Sequence, residues 1–211
     1  MRARVAAIML VLSAIGFDRT TSAVRLTPGE AGEIIASLHP DHRRWIGTIR
    51  SGPAGADGGI YAGLVRPGGR DPRDPEDAPS RGRGVRNDLV IFPLAIDATR
   101  TPAWRILILD HEYFHARHLA GGFDVPLVSF GRNGIDRHYL EALAWGWVRG
   151  RAASGIYGSL PQREIAEVEE RYRDHREAFM AFVMKAQPAA WAHYGRFLPD
   201  PAGLTLASSV P

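Results

Sequence analysis

Residues 101–122 read Thr101-Pro102-Ala103-Trp104-Arg105-Ile106-Leu107-Ile108-Leu109-Asp110-His111-Glu112-Tyr113-Phe114-His115-Ala116-Arg117-His118-Leu119-Ala120-Gly121-Gly122, and the rest of the chain is organised around them. Thr101 is a natural N-cap, because its hydroxyl can accept from the unpaired amides of a first helical turn, and Pro102 begins that turn with an N–H it does not need. Gly121-Gly122 supplies the stop. Between these ends, Ile106, Leu107, Ile108, Leu109, Phe114 and Leu119 fall on more than one face, the pattern of a helix covered on several sides. The sequence therefore predicts a central buried helix over 101–120.

Two histidines four apart on such a helix project from one face, about 40° apart around the axis and one turn apart along it, so His111 and His115 can reach one metal ion. Glu112 points about 100° away from His111, where it can meet a water at that ion without ligating, the placing of a general base. A catalytic zinc usually takes three protein ligands and keeps a position for water. His118 shares the face of His111 but lies roughly 10 Å further along the axis, too far to join the same ion easily. Asp124 offers a carboxylate from the following loop. Glu141 is the better third ligand, because it sits in Tyr139-Leu140-Glu141-Ala142-Leu143-Ala144-Trp145, where an unpaired buried carboxylate would be costly and a metal would satisfy it. The plain alternative is a solvent-facing Glu141 paired with Arg137, four residues earlier. His138, one turn before Glu141, can stabilise an oxyanion, orient a ligand, or be a surface histidine.

Outward from this core, Thr27-Pro28-Gly29-Glu30 reads as a capping box opening a helix to about Leu38, ended by Pro40. Residues 50–87 are rich in Gly, Pro, Arg and Asp, with one strand-like piece at 59–65 and a mobile surface loop expected at 66–86. Leu89 to Ile96 suits a strand, at an edge or with a bulge because of Pro93. Asp136 is the expected N-cap of a helix to about Ala153, and Ser159, with Gln162 three residues on, the expected start of a long charged helix to about Lys185. Asp174-His175, among Arg171, Arg173, Arg176 and Glu177, reads as a solvated face. Trp145 and Trp147 read as packing residues. The expected fold class is α+β, mostly helical: one domain over 24–211, with a small strand element packed on the histidine-bearing helix and a Glu-bearing helix.

With 45% hydrophobic residues, 211 residues can bury one sizeable core. Arg2 and Arg4, the apolar run Val5 to Phe17 and the small residues Thr21-Ser22-Ala23 have the order of a secretory signal, so residues 1–23 are expected to be cleaved and the product secreted or periplasmic. A run of about 13 residues cannot cross a roughly 30 Å hydrocarbon core, and no later segment is apolar for long enough, so no stable membrane span is expected. Losing Arg2, Arg4, Arg19 and Asp18 takes the 26 basic and 23 acidic residues to 23 and 22, lowering the net charge from +3 to +1. The remaining arginines are scattered, so no nucleic-acid partner is expected. Absence of cysteine excludes disulfides, thiolate-ligated zinc and a thiol nucleophile. Gly131-Arg132-Asn133-Gly134 is a turn without the strand-to-helix setting of a phosphate loop, and no Gly-x-Ser-x-Gly elbow occurs.

Taken together, these residues resemble the gluzincin class of zinc metallopeptidases, the thermolysin-like group with an HExxH helix and a downstream glutamate on a following helix. The resemblance covers roughly residues 89–150 and rests on His111, Glu112, His115, and Glu141 with Ala142. It implies a zincin-like minimal catalytic domain acting on peptides or proteins, with His111, His115 and Glu141 as Zn2+ ligands and Glu112 as the base. His138, Tyr139, Tyr157 and His175 are the candidates for oxyanion stabilisation, with His138 carried forward as a catalytic residue. The longer zinc motif, with a histidine six residues after the second one, is missing, since Gly121 stands there. Four residues after Glu141, where several gluzincins place an aspartate, this chain has Trp145, leaving Asp110 or Asp174 as substitutes. The other function class is an exported, non-catalytic zinc-binding or envelope-interaction protein, whose structural site would be closed by a fourth ligand such as His118, His138 or Asp124.

Overall fold

Thr27 caps the first helix, α1 (Pro28–Leu38): its hydroxyl accepts the Glu30 amide at 3.2 Å, while its own N–H donates to the Glu30 carboxylate at 2.7 Å. The computed structural model describes residues 26–51, 63–65, 86–91, 100–126 and 133–198. The expected signal peptide, the loop over 66–85, most of the strand-like piece at 59–65 and the later part of the strand around Pro93 lie outside the described residues. After α1 come a short 3₁₀ turn (His42–Arg44), strands β1 (Ile46–Ser51), β2 (Gly63–Val65) and β3 (Asn87–Ile91), and helices α2 (Pro102–Leu119), α3 (Asn133–Ala153), α4 (Gln162–Ala186) and α5 (Pro188–Tyr194). The fold is α+β and mostly helical. The chain divides into two compact units, Met1–Phe123 and Asp124–Pro211.

In the first unit the strands form one sheet in the order β1-β3-β2, with β1 parallel and β2 antiparallel to β3. The strand expected at an edge or with a bulge of its own is thus central, and all five of its residues are buried. Its described residues run from Asn87 to Ile91, and Pro93 lies outside them. The register irregularity is on β1, between Ile46 and Ile49. There the Thr48 N–H donates to Asp88 Oδ1 at 2.9 Å, and a Cβ on Gly47 would lie 2.6 Å from that same oxygen, so only glycine leaves room for the carboxylate.

Helix α2 follows its sequence signals closely. Thr101 Oγ1 accepts from the Trp104 amide at 3.1 Å, and fifteen of the eighteen residues are buried. At the C-terminus Gly121 takes φ +74°, and the Gly122 amide donates to the Arg117 carbonyl at 2.8 Å. A Cβ on Gly122 would meet Arg117 Cγ at 2.6 Å and the Trp45 ring at 2.8 Å, so one glycine is required by dihedral and the next by space.

In the second unit two helix starts differ from expectation. Helix α3 begins at Asn133, placing Asp136 inside the first turn, where its charge complements the helix dipole, rather than at the cap. Helix α4 begins at Gln162 with Pro161 as its cap, because a proline disfavours helical geometry at the residue before it and so bars extension back toward Ser159. Along α4 the residues Glu164, Val168, Tyr172, Phe179 and Val183 form the buried stripe. Tyr139 of α3 lies 4.8 Å from Phe179 between ring centroids, and Arg149 donates to both Glu169 oxygens at 2.7 and 2.8 Å. Gly146 permits this approach, since a Cβ there would stand 3.0 Å from the Tyr172 ring. Tyr194 of α5 closes the cluster on Tyr139 and Phe179. Among the described residues, no helix is long and apolar enough to cross a membrane.

Candidate metal centre

His111 and His115, one turn apart on α2, bring their Nε2 atoms to 3.1 Å, with the rings nearly perpendicular. They are only 3% and 8% exposed, so the nitrogens are shielded from bulk water. Two imidazoles on one tetrahedral zinc, each with a bond of roughly 2.0–2.1 Å, would place their nitrogens about 3.3 Å apart. The observed separation fits two nitrogens aimed at one point, and also fits one ring's N–H donating to the other's bare nitrogen. Glu112, between them in sequence, is half-buried.

Side chains around the pair set the rotation of α2. Asp110, fully buried, accepts from the Nε2–H of His39 at the C-cap of α1, and the His39 ring stacks on Tyr113 with centroids 3.7 Å apart. The sequence offered Asp110 as a support for a histidine ligand; the structure pairs its Oδ1 with His39, a residue that no motif singled out. One turn of α2 further on, Tyr113 donates to Asp41 Oδ1 at 3.3 Å, and the Trp45 indole donates to Asp41 Oδ2 at 3.1 Å. Burial and the neighbouring Asp41 charge push the Tyr113 hydroxyl up to about 12, against the opposing charge of Arg117. Burial pushes the Asp41 carboxyl up, but the Trp45 N–H, the Arg117 charge and the Tyr113 hydroxyl together outweigh it and hold the group below the usual carboxylate value. His118 is buried with its ring 5.5 Å from Phe114, which in turn stacks on Phe123 at 4.8 Å.

The second unit carries Glu141 and His138 on α3. Glu141 is half-buried, and its Oε1 lies 3.9 Å from Nε of the exposed Arg137, a long pair that solvent screens. The pairing read from sequence is therefore present, but weak. His138 turns toward α4, where its Nδ1 lies 2.9 Å from Nδ1 of His175. This departs from the expected solvated face at Asp174-His175. Asp174 is exposed beside Arg173 at 3.7 Å, as expected, but His175 is half-buried because it lies three residues after Tyr172 and four before Phe179, on the inner stripe of α4. That spacing is the signal in the sequence that identifies it. Burial lowers the pKa of His175, the Glu141 charge opposing and His138, Arg137 and Arg171 reinforcing the shift.

The other oxyanion candidates are set deeper. Tyr139 is fully buried, its hydroxyl without a hydrogen-bond partner among the described residues, and burial pushes its pKa well above the tyrosine range. Tyr157 is 1% exposed. Asp124 is exposed. Trp145 lies under Arg171 at 5.2 Å and Trp147 under Arg151 at 5.1 Å, which are packing arrangements. No protein-family model, no curated protein and no solved structure matches this chain.

Proposed function

We propose that the chain is an exported zinc metallopeptidase in which His111, His115 and Glu141 hold the metal and Glu112 is the general base. The observation that carries the reading is the meeting of the His111 and His115 nitrogens at 3.1 Å on a buried, capped helix, with Glu112 in register. Glu141 as third ligand is supported by its place in the sequence, a carboxylate on the helix that follows, among Leu140, Ala142, Leu143 and Trp145, where a metal would satisfy it. A His₂Glu set is a donor set of hydrolytic zinc sites.

Zinc, when bound, lowers the pKa of water toward about 7 and polarises a carbonyl. The protein's own residues supply the remainder. Glu112, half-buried and next to His111 in the sequence, would accept the water's proton and pass it to the leaving amine nitrogen. His138, one turn from Glu141, donates Nε2–H to the carbonyl oxygen as negative charge develops there. The substrate class is peptides or proteins. A zincin-like arrangement of small sheet, histidine helix and glutamate helix, and an exported location conferred by the leader over residues 1–23, belong to the same proposal.

Metal analysis of the purified chain beside His115→Ala and Glu141→Ala, with peptide-library hydrolysis by wild type and Glu112→Gln, tests it. One zinc per wild-type chain, lost in both ligand variants, is expected. Glu112→Gln should keep its zinc and lose at least about 100-fold in activity. Metal-free wild type, or full activity in Glu112→Gln, overturns the reading.

A further inference from the structure

His138 and His175 face each other through their Nδ1 atoms at 2.9 Å, from two different helices. A neutral imidazole carries one N–H, so a short contact between two ring nitrogens requires one to donate and the other to accept. The consequence reaches the far side of both rings. The donor, using Nδ1–H, keeps a bare Nε2; the acceptor must carry its hydrogen on Nε2. The pair therefore converts two ambiguous rings into one outward donor and one outward acceptor.

We infer that His175 is a positioning residue that holds His138 in the Nε2–H tautomer by donating Nδ1–H to His138 Nδ1, so that His138 presents a hydrogen-bond donor beside Glu141. Three observations set this direction. His175 is half-buried on the inner side of α4, three residues after Tyr172 and four before Phe179, both fully buried. Burial favours the neutral form of His175, a ring able to give Nδ1–H and keep a bare Nε2, with the Glu141 charge opposing and His138, Arg137 and Arg171 reinforcing. His138 lies three residues before Glu141 on α3, and the Glu141 charge is felt at His175, so the three side chains form one cluster within the second unit. Among the described residues neither ring has a second hydrogen-bond partner to dictate its tautomer. The inference rests on the proposed function only where the His138 donor is given an oxyanion to meet; the tautomer itself does not depend on it.

The test uses the full chain at about pH 8 and reads the ¹⁵N shifts of the His138 imidazole. Wild type is expected to show Nε2 protonated and Nδ1 bare. His175→Ala should leave His138 in a mixture of tautomers, and His175→Asn, whose side-chain amide nitrogen falls near the place of Nδ1, should restore the wild-type pattern. A His138 that is Nδ1-protonated in wild type, or unchanged in His175→Ala, overturns the inference, and the wild-type spectrum decides even where a variant fails to fold. In the hydrolysis assay His175→Ala should lower kcat about 10-fold with KM nearly unchanged, and His175→Asn should recover most of the loss. A chain with the expected tautomer but no hydrolytic activity would remove the peptidase reading and leave the positioning role standing; an equal kcat in wild type and His175→Ala would remove the role of the pair in catalysis.

Discussion

His111 and His115 meet because they are four residues apart on one helix, whereas His138 and His175 meet although 37 residues separate them. The first pair needs only helical geometry, which places i and i+4 on one face. The second needs α3 and α4 to lie in one register, and that register is held by side chains: Gly146 against Tyr172, Arg149 on Glu169, Tyr139 on Phe179. Burial differs in parallel. The α2 pair is almost wholly shielded, while the pair between α3 and α4 is half-buried. A pair made by one helix survives whatever leaves that helix intact, and a pair made by two helices is lost with any change that shifts the seam.

The sharpest way to break the comparison is His115→Ala, which should weaken zinc binding more than about 100-fold and abolish hydrolysis while leaving the ¹⁵N signature of the His138–His175 contact in place. Simultaneous loss of both pairs would mean that they are not independent. The seam should fail separately. Glu169→Ala removes the carboxylate from Arg149, whose side chain is 2% exposed, and should cost roughly 3 kcal/mol in urea unfolding, somewhat less if water reaches the guanidinium. Gly146→Val presses a branched side chain onto the fully buried Tyr172 ring and should cost about 2 kcal/mol, with the His138 tautomer becoming mixed. If Gly146→Val left the His138 spectrum as in wild type, the seam would not be what holds that pair.

The smallest expected effect concerns the tether of α2 to Asp41. Its carboxyl is held below the ordinary value of 3.8, so its contribution is complete above about pH 4 and is lost as the pH falls through the folded value. Asp41→Asn should therefore be less stable than wild type near pH 6 by a few tenths of a kcal/mol, the group being largely solvated, and the difference should vanish in acid. Urea curves at several pH values check the sign: a gap that widens on acidification would contradict the tether.

Much of this was legible in the sequence, for reasons that can be named. The capping box at Thr27, the Thr101-Pro102 start and the Gly121-Gly122 stop are local hydrogen-bond and dihedral requirements, and they produced α1 and α2 within a residue of the expected ends. The start of α4 was misplaced because the rule that bars helix before Pro161 outweighs the capping signal at Ser159. The strand expected at an edge turned out to be central, because β1 and β2 pair with it on either side and one strand's own pattern does not say how many neighbours it will have. His39 carried no signal, since its importance is a contact with Asp110 across 71 residues. His175 carried one that was outweighed: its spacing to Tyr172 and Phe179 puts it on the stripe, while the charges of Arg171, Arg173, Arg176 and Glu177 suggest solvent.

The sequence by itself determined the mostly helical class, the capped central helix and the juxtaposition of His111, Glu112 and His115, because each follows from interactions within a few residues, where backbone geometry leaves little choice. Only the tertiary structure decided that Asp110 belongs to His39, that β3 is the middle strand, and that His138 is held by His175. These depend on which distant surfaces fit, and that is settled by the volumes and hydrogen-bonding needs of side chains such as Gly146, Tyr172 and Arg149, which no local pattern encodes.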